Sequence, residues 1–280
     1  MFELISEHAC FGGVQRFYRH HPKSIGLPMR FSVFFPPAAK NGPVPALIYL
    51  AGLTCTEETF VTKSGAQRKA SEAGVMLISL DTSPRGANVP GESENWDLGV
   101  GAGFYVDATQ APWCTNYRMY SYVLELRQLL LDDFAVSPGA ISIMGHSMGG
   151  HGALVLALRN PGMFKSVSAI APICAPSQCP WGVKAFSTYL GTANKDWLEY
   201  DASALMAKLR RPYPAGILVD QGTSDKFLVE QLSPSSLEIA CETANQPLQL
   251  RRFVGYDHGY YFISTVIDDH LMFHAEALDS

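Results

Sequence analysis

ISIMGHSMGGHGAL, residues 141–154, is the stretch that decides the fold. Residues 140–144 form a short apolar run of strand-like composition. Gly145, Ser147 and Gly149 then spell G-x-S-x-G, with His146 and Met148 between them. The run GALVLALR follows, helix-forming in composition, and ends at Asn160-Pro161. Strand, sharp turn and helix together make a nucleophile elbow, which presents a serine hydroxyl at the tip of the turn. A serine at the tip of such a turn holds a strained backbone, and side chains at the flanking glycines would collide. The helix behind it aims its positive end and free N–H groups where an oxyanion would form. G-x-S-x-G alone also occurs in glycine-rich structural turns. The flanking strand and helix give it weight.

The 280 residues are 47% hydrophobic and 17% charged, the balance of a globular chain. A net charge of −5 argues against a nucleic-acid partner. The longest apolar run, near residues 46–53, is far too short to span a bilayer, so no membrane partner is expected. The opening MFELISEHACFGG lacks a basic region followed by an apolar core, which argues against a signal peptide. Cys10, Cys55, Cys114, Cys174, Cys179 and Cys241 are scattered without a CxxC pair. Free thiols in a reducing compartment are the expectation, and a zinc site is not.

Residues 3–20 read as an edge hairpin. Residues 31–35 and 44–50 read as strands separated by the turn-rich PPAAKNGP. Residues 64–73 suit a helix and 75–80 a buried strand. This alternation predicts an α/β fold with a mostly parallel sheet and helices on both faces. Residues 81–116 form a long Gly-, Pro- and aromatic-rich segment, either a wall or lid of a site or a surface excursion packed by its own rings. From 117 to 134, Met119, Tyr122, Val123, Leu126 and Leu130 recur at helical spacing, with Asn116 as the expected N-cap. Strands are expected at 166–171, 215–222 and 248–254, a second loop-rich insertion at 172–200, and a closing helix from Tyr260. With no repeat, low-complexity tract or linker, residues 1–280 read as one α/β-hydrolase domain with two insertions.

A serine nucleophile needs a base, and the base an orienting acid, which in this fold follow the serine in the order acid, histidine. His258, His270 and His274 lie beyond the elbow helix. His258, in VGYDHGYYF just past the last strand, is placed to reach the sheet's C-terminal edge. His270 and His274 fall late on the closing helix, where surface positions are expected. His146 and His151 flank the serine and read as packing or supporting groups. Among the carboxylates, Asp225 lies in the loop after a strand, the expected place for the acid. Asp220 is still on that strand and reads as tying down the loop through backbone N–H groups. Asp257 adjoins His258, and adjacent side chains generally diverge. The oxyanion hole should join the N–H of Met148 to that of Leu53, after an early strand. AGLTC there differs from the HGGG of lipases. Cys55 is expected near the mouth of the site, against the commoner fate of a buried inert thiol. Phe104, Tyr105, Trp113, Trp181 and Phe186 are candidates to enclose a small acyl pocket, Phe104 and Trp181 first among them.

YLAGLTCTEETF, GAGFYVDATQAPW, GHSMGGHGAL, PICAPSQCPWG, DQGTSDKFL and YDHGYYFI, all in order, resemble the S-formylglutathione hydrolases of the esterase D family. The resemblance covers essentially the whole chain. It implies a cytoplasmic thioesterase that cleaves S-formylglutathione to formate and glutathione in formaldehyde removal, with weaker activity on short-chain esters. The family's nucleophile, acid and base fall on Ser147, Asp225 and His258. No metal or organic cofactor is implied, and the partner is a small-molecule substrate. Oligomeric state stays open, a homo-oligomer included. The residues alone support a serine acyl hydrolase. A general short-chain carboxylesterase, an acyltransferase of the same fold and a non-catalytic protein on this scaffold are the competing readings. Acyltransferases of this fold are usually exported, which the opening residues do not suggest.

Overall fold

The computed structural model describes residues 2–209 and 211–279. In chain order it runs β1 (Phe2–Cys10), β2 (Gly13–His20), β3 (Met29–Phe35), β4 (Val44–Leu50), α1 (Glu57–Lys63), α2 (Ala66–Ala73), β5 (Met76–Leu80), α3 (Met119–Asp133), β6 (Val136–His146), α4 (Met148–Arg159), β7 (Val167–Ile170), α5 (Pro180–Tyr189), α6 (Asn194–Trp197), α7 (Ala202–Ala207), β8 (Ile217–Gly222), α8 (Pro234–Thr243), β9 (Leu248–Phe253) and α9 (Tyr260–Leu278). No helix among the described residues is long and apolar enough to cross a membrane.

The strands form one nine-stranded sheet in the order β1-β2-β3-β5-β4-β6-β7-β8-β9. β1, β2, β3 and β5 pair antiparallel, and every pairing from β5 through β4 to β9 is parallel. β5, β7 and β8 are buried at every residue, so they read as continuous apolar runs rather than alternations. The cause is visible at β7. Ser168 bonds to side chains of α9, while its neighbour Ala169 lies against Gly150 of α4. Successive side chains of a strand point to opposite faces, so these two helices cover the two sides of the sheet. From β4 the chain crosses one way to β5 and then back past β4 to β6. This reversal is a topological switch point, and ligand sites in open α/β sheets lie at the strand C-termini beside it. Residues 51–54 and Ser147 leave the sheet there.

Some boundaries differ from the pattern-based expectation. The helix expected at 64–73 is α2, and a further helix, α1, precedes it, started by a Thr56 capping box and separated from α2 by left-handed Gly65. Asn116 does not cap α3, which begins after Arg118. The Asn116 amide donates instead to the carbonyl of Ile25, at 2.8 Å. The segment 81–116 packs through its own rings and against the second insertion. Tyr189 donates to the carbonyl of Ala102 at 2.9 Å and accepts from the Gly99 N–H at 2.7 Å. Its ring stacks on Tyr117 and meets Trp113 edge-on. Two helices, α5 and α6, lie within residues 172–200, where loop was expected.

Candidate active site

Ser147 stands between the end of β6 and the start of α4 with φ 58° and ψ −120°, a left-handed backbone unusual for a residue with a side chain. The flanking glycines are steric necessities. A Cβ on Gly145 would lie 2.1 Å from the carbonyl oxygen of Gly149, and one on Gly149 would lie 2.0 Å from that of Leu50. The Ser147 N–H donates to Ile170 of β7 at 3.0 Å, tying the elbow to the neighbouring strand.

Ser147 Oγ lies 2.9 Å from His258 Nε2, and His258 Nδ1 lies 2.5 Å from Asp225 Oδ2. Three elements converge here: the elbow, the loop after β8 and the loop between β9 and α9. Asp225 is buried, accepts the Phe227 N–H on Oδ1 at 2.9 Å and faces the Gln221 amide on Oδ2 at 3.3 Å. A carboxylate accepts, so Nδ1 carries the proton and Nε2 is the basic nitrogen toward serine. Asp257 points away, exposed, with Oδ1 accepting the Gly259 N–H.

Gly52 sits against the elbow, since a Cβ there would lie 3.1 Å from Ser147 Cβ. That brings the Leu53 peptide beside the serine. Among the described residues, neither the Leu53 nor the Met148 N–H has a hydrogen-bond acceptor. The loop is held from below. Tyr105 donates to the carbonyl of Ala51 at 2.9 Å, and the Thr54 N–H donates to Gly101 at 2.8 Å. A Cβ on Gly152 would meet the Tyr105 ring at 2.6 Å, so this glycine lets the ring close on α4. The first insertion therefore buttresses the residues after β4.

Phe104 is wholly buried between His151 and Phe186, its carbonyl accepting from His151 Nε2 at 2.9 Å. Tyr105 and Phe186 are wholly buried too, and Trp113 nearly so. Trp181 packs between Trp96 and Phe227, and the Phe227 ring meets His258 edge-on at 5.0 Å. Phe227 and half-exposed Trp96 were not singled out from the sequence. The adjacency of Phe227 to Asp225 was the only available signal. Cys55 is half-buried, and burial pushes its thiol up, away from the thiolate. All six cysteines are free. No cluster of three or more His, Cys, Asp or Glu among the described residues is arranged to hold a metal.

Two expectations are corrected. His270 and His274 are wholly buried rather than at the surface, because α9 lays that face on β7. His274 bonds Ser166 and Ser168, each at 2.7 Å, and His270 bonds Ser168 at 2.8 Å and Asp220 at 3.2 Å. Asp220 does not hold the loop through backbone N–H groups. Its carboxylate takes two 2.6 Å bonds from Arg251 on β9. Burial alone would push Asp220 up, but His270 and Arg251 outweigh it and hold the carboxyl below its ordinary value.

The S-formylglutathione hydrolase of Rattus norvegicus is 51% identical over 278 residues, 99% of this chain and 98% of that protein. The S-formylglutathione hydrolase of Mus musculus is 52% identical over the same shares. The chain belongs to the S-formylglutathione hydrolase family. The profile described as "Putative esterase" matches residues 23–273 of this esterase. A structure of the S-formylglutathione hydrolase from Agrobacterium tumefaciens matches it with a TM-score of 0.95 at 46% identity, covering 98% of this chain and 99% of that one. FphF, a fluorophosphonate-binding serine hydrolase of Staphylococcus aureus, matches with a TM-score of 0.75 at 19% identity over 94% of this chain and 98% of that one, a likeness of fold. The esterase is thus an enzyme, a serine hydrolase with an α/β-hydrolase sheet.

Proposed function

We propose that this esterase cleaves S-formylglutathione to formate and glutathione, with Ser147 as nucleophile, His258 as base and Asp225 as orienting acid. The carrying observation is the continuous Ser147–His258–Asp225 row at the strained elbow. The relatives' shared name supplies the substrate. Ser147 Oγ attacks the thioester carbonyl and passes its proton to His258 Nε2. The carbonyl electrons move to oxygen, which the Leu53 and Met148 N–H groups receive. The oxyanion collapses, the C–S bond breaks and His258 returns the proton to the glutathione sulfur. Water, deprotonated by His258, then attacks the formyl-serine. Formate leaves as Ser147 regains its proton.

The aromatic row from Trp96 to Phe227 supports a wall against the thiol half of the substrate. Binding energy gained there, remote from the carbonyl, can orient it. The tightly packed rings of the two insertions support a small acyl pocket. One continuous sheet supports reading the chain as a single domain. Six free thiols and a glutathione thioester substrate fit a reducing cytoplasm. A homo-oligomer is compatible with this reading, and nucleic acid has no part in it.

A side-by-side series of S-formylglutathione, S-acetylglutathione and p-nitrophenyl esters of rising length tests the assignment. The formyl thioester is expected to exceed p-nitrophenyl acetate in kcat/KM by orders of magnitude. Ester activity should fall beyond about four acyl carbons, as each misfitting methylene changes discrimination by about 1–3 kcal/mol. Simple esters matching the thioester would reduce the assignment to a short-chain carboxylesterase. Preference for octanoyl esters would remove the small pocket as well.

A further inference from the structure

His146, one residue before the proposed nucleophile, is buried and has no part in the acyl transfer described above. Its Nε2 lies 3.1 Å from the backbone carbonyl of His258. A carbonyl only accepts, so Nε2–H donates and Nδ1 is the bare nitrogen. Nδ1 is buried without a partner and faces Gly52, where an added Cβ would come within 3.1 Å of it. The His146 and His258 rings lie 4.6 Å apart, tilted by 46°. Burial, then the neighbouring His258, holds His146 well below its ordinary pKa, so it places no charge beside the base.

The loop carrying His258 is tied on either side of that residue, beginning with the Gly255 N–H, which donates to Thr223 Oγ1 at 3.2 Å. Upstream, the Ser224 N–H donates to the carbonyl of Tyr256 at 2.9 Å, and downstream the Gly259 N–H turns to the Asp257 carboxylate. Among the described residues, only His146 reaches the His258 carbonyl. The geometry points to His146 as a positioning residue, whose Nε2–H fixes the peptide of His258 relative to the elbow. This rests on the triad proposed above. His146 is covalently joined to Ser147, so this bond couples the backbone that delivers the hydroxyl to the backbone that delivers its base. A slip between them acts directly on the 2.9 Å Oγ–Nε2 contact. Misplacement by about 1 Å can reduce turnover by roughly 100-fold.

The test compares His146→Gln, whose amide nitrogen falls near the position of Nε2, with His146→Asn, which is too short to reach the carbonyl. His146→Leu fills the space with no donor. The readouts are kcat and KM for p-nitrophenyl acetate on protein shown folded by near-UV circular dichroism, with fluorophosphonate labelling located by mass spectrometry. His146→Gln should stay within about threefold of wild-type kcat, while Asn and Leu fall by about 10- to 100-fold with KM changed by less than about twofold. Equal kcat for Gln and Asn, whether high or low, overturns the positioning role, as does wild-type kcat in the Leu variant. Should Asn or Leu prove unfolded, the remaining short or donorless variant still carries the comparison with Gln. Wild-type labelling at a residue other than Ser147 would instead overturn the triad, whatever the ranking of the variants.

Discussion

Two rows of serine, histidine and aspartate run through this molecule. Ser147, His258 and Asp225 meet at the C-terminal edge of the sheet, while Ser168, His270 and Asp220 meet under it. The residue types are the same, and the surroundings are opposite. At the edge, the histidine turns Nε2 to serine and Nδ1 to aspartate; in the core it turns Nδ1 to serine and Nε2 to aspartate. Ser147 sits on a strained turn at the head of α4, beside N–H groups without acceptors. Ser168 lies within a strand, and its hydroxyl is shared between His270 and His274. Asp225 has amide donors, leaving its charge for an imidazolium. Arg251 already neutralises Asp220. His258 keeps 17% of its side chain exposed, whereas His270 and Asp220 keep none. A Ser-His-Asp set therefore becomes a reaction site through backbone strain, free donors, an unneutralised acid and a path to solvent, as proposed for the edge row. Without these, the same three groups are a way to satisfy polar atoms inside a core.

The comparison can be broken most directly at the serines. Ser147→Ala is expected to cut kcat by roughly 10³-fold or more with the fold intact. Ser168→Ala should leave kcat near wild type and lower the melting temperature, because a buried unsatisfied partner costs about 1–3 kcal/mol. Near-normal turnover in Ser147→Ala, measured on purified folded protein, would end the assignment of the edge row.

The aspartates should separate next. Asp225→Asn is expected to lose about 10⁴-fold in kcat by upsetting the imidazole tautomer. Asp257→Asn should lose far less. Asp220→Asn removes the buried carboxylate between Arg251 and His270, while Arg251 keeps Asp269 at 2.7 Å, so the loss should stay below the roughly 3–5 kcal/mol of a fully orphaned buried charge and appear mainly in denaturant midpoints. A greater kcat loss at Asp257 than at Asp225 would move the acid to Asp257.

Acid should weaken the fold through its buried histidines. Burial lowers His20 and His151 to about 4 and pushes His146 and His274 well below their ordinary value. Each binds a proton more readily when unfolded, so the unfolded state gains protons first as pH falls through about 6.5. Stability from these groups is thus present above about pH 6.5 and is lost progressively toward pH 4. For His151 alone the loss by pH 5 is about 2 kcal/mol. Urea midpoints at pH 7.5 and 5 should show the decline, reduced in a His274→Gln variant. A flat profile would mean that these histidines are hydrated in solution.

The smallest effect concerns Cys55. A neutral, half-buried thiol should react slowly with N-ethylmaleimide, and any resulting inhibition should vanish in Cys55→Ser. Equal inhibition of both proteins would place the sensitive thiol elsewhere.

What the sequence by itself determined is local. The elbow was legible because its causes lie within a few residues: an apolar strand, two glycines that cannot carry a Cβ, and a helix-forming run. Chain order and loop position sufficed to single out Asp225 and His258, which the fold then brings into one row with Ser147. The alternation of strand and helix likewise announced the parallel sheet. Tertiary structure alone decided how distant segments use their polar groups. His270 and His274 looked like surface residues because nothing beside them in sequence reveals that Ser168 of β7, and Ser166 just before that strand, meet that face of α9. Asp220 looked like a loop anchor because its partner, Arg251, stands on another strand. Asn116 looked like a helix cap, yet its amide reaches Ile25. In each case a hydrogen bond to a group far along the chain took precedence over a local one. Burial makes an unpaired polar atom costly, and only the folded packing determines which partner is within reach.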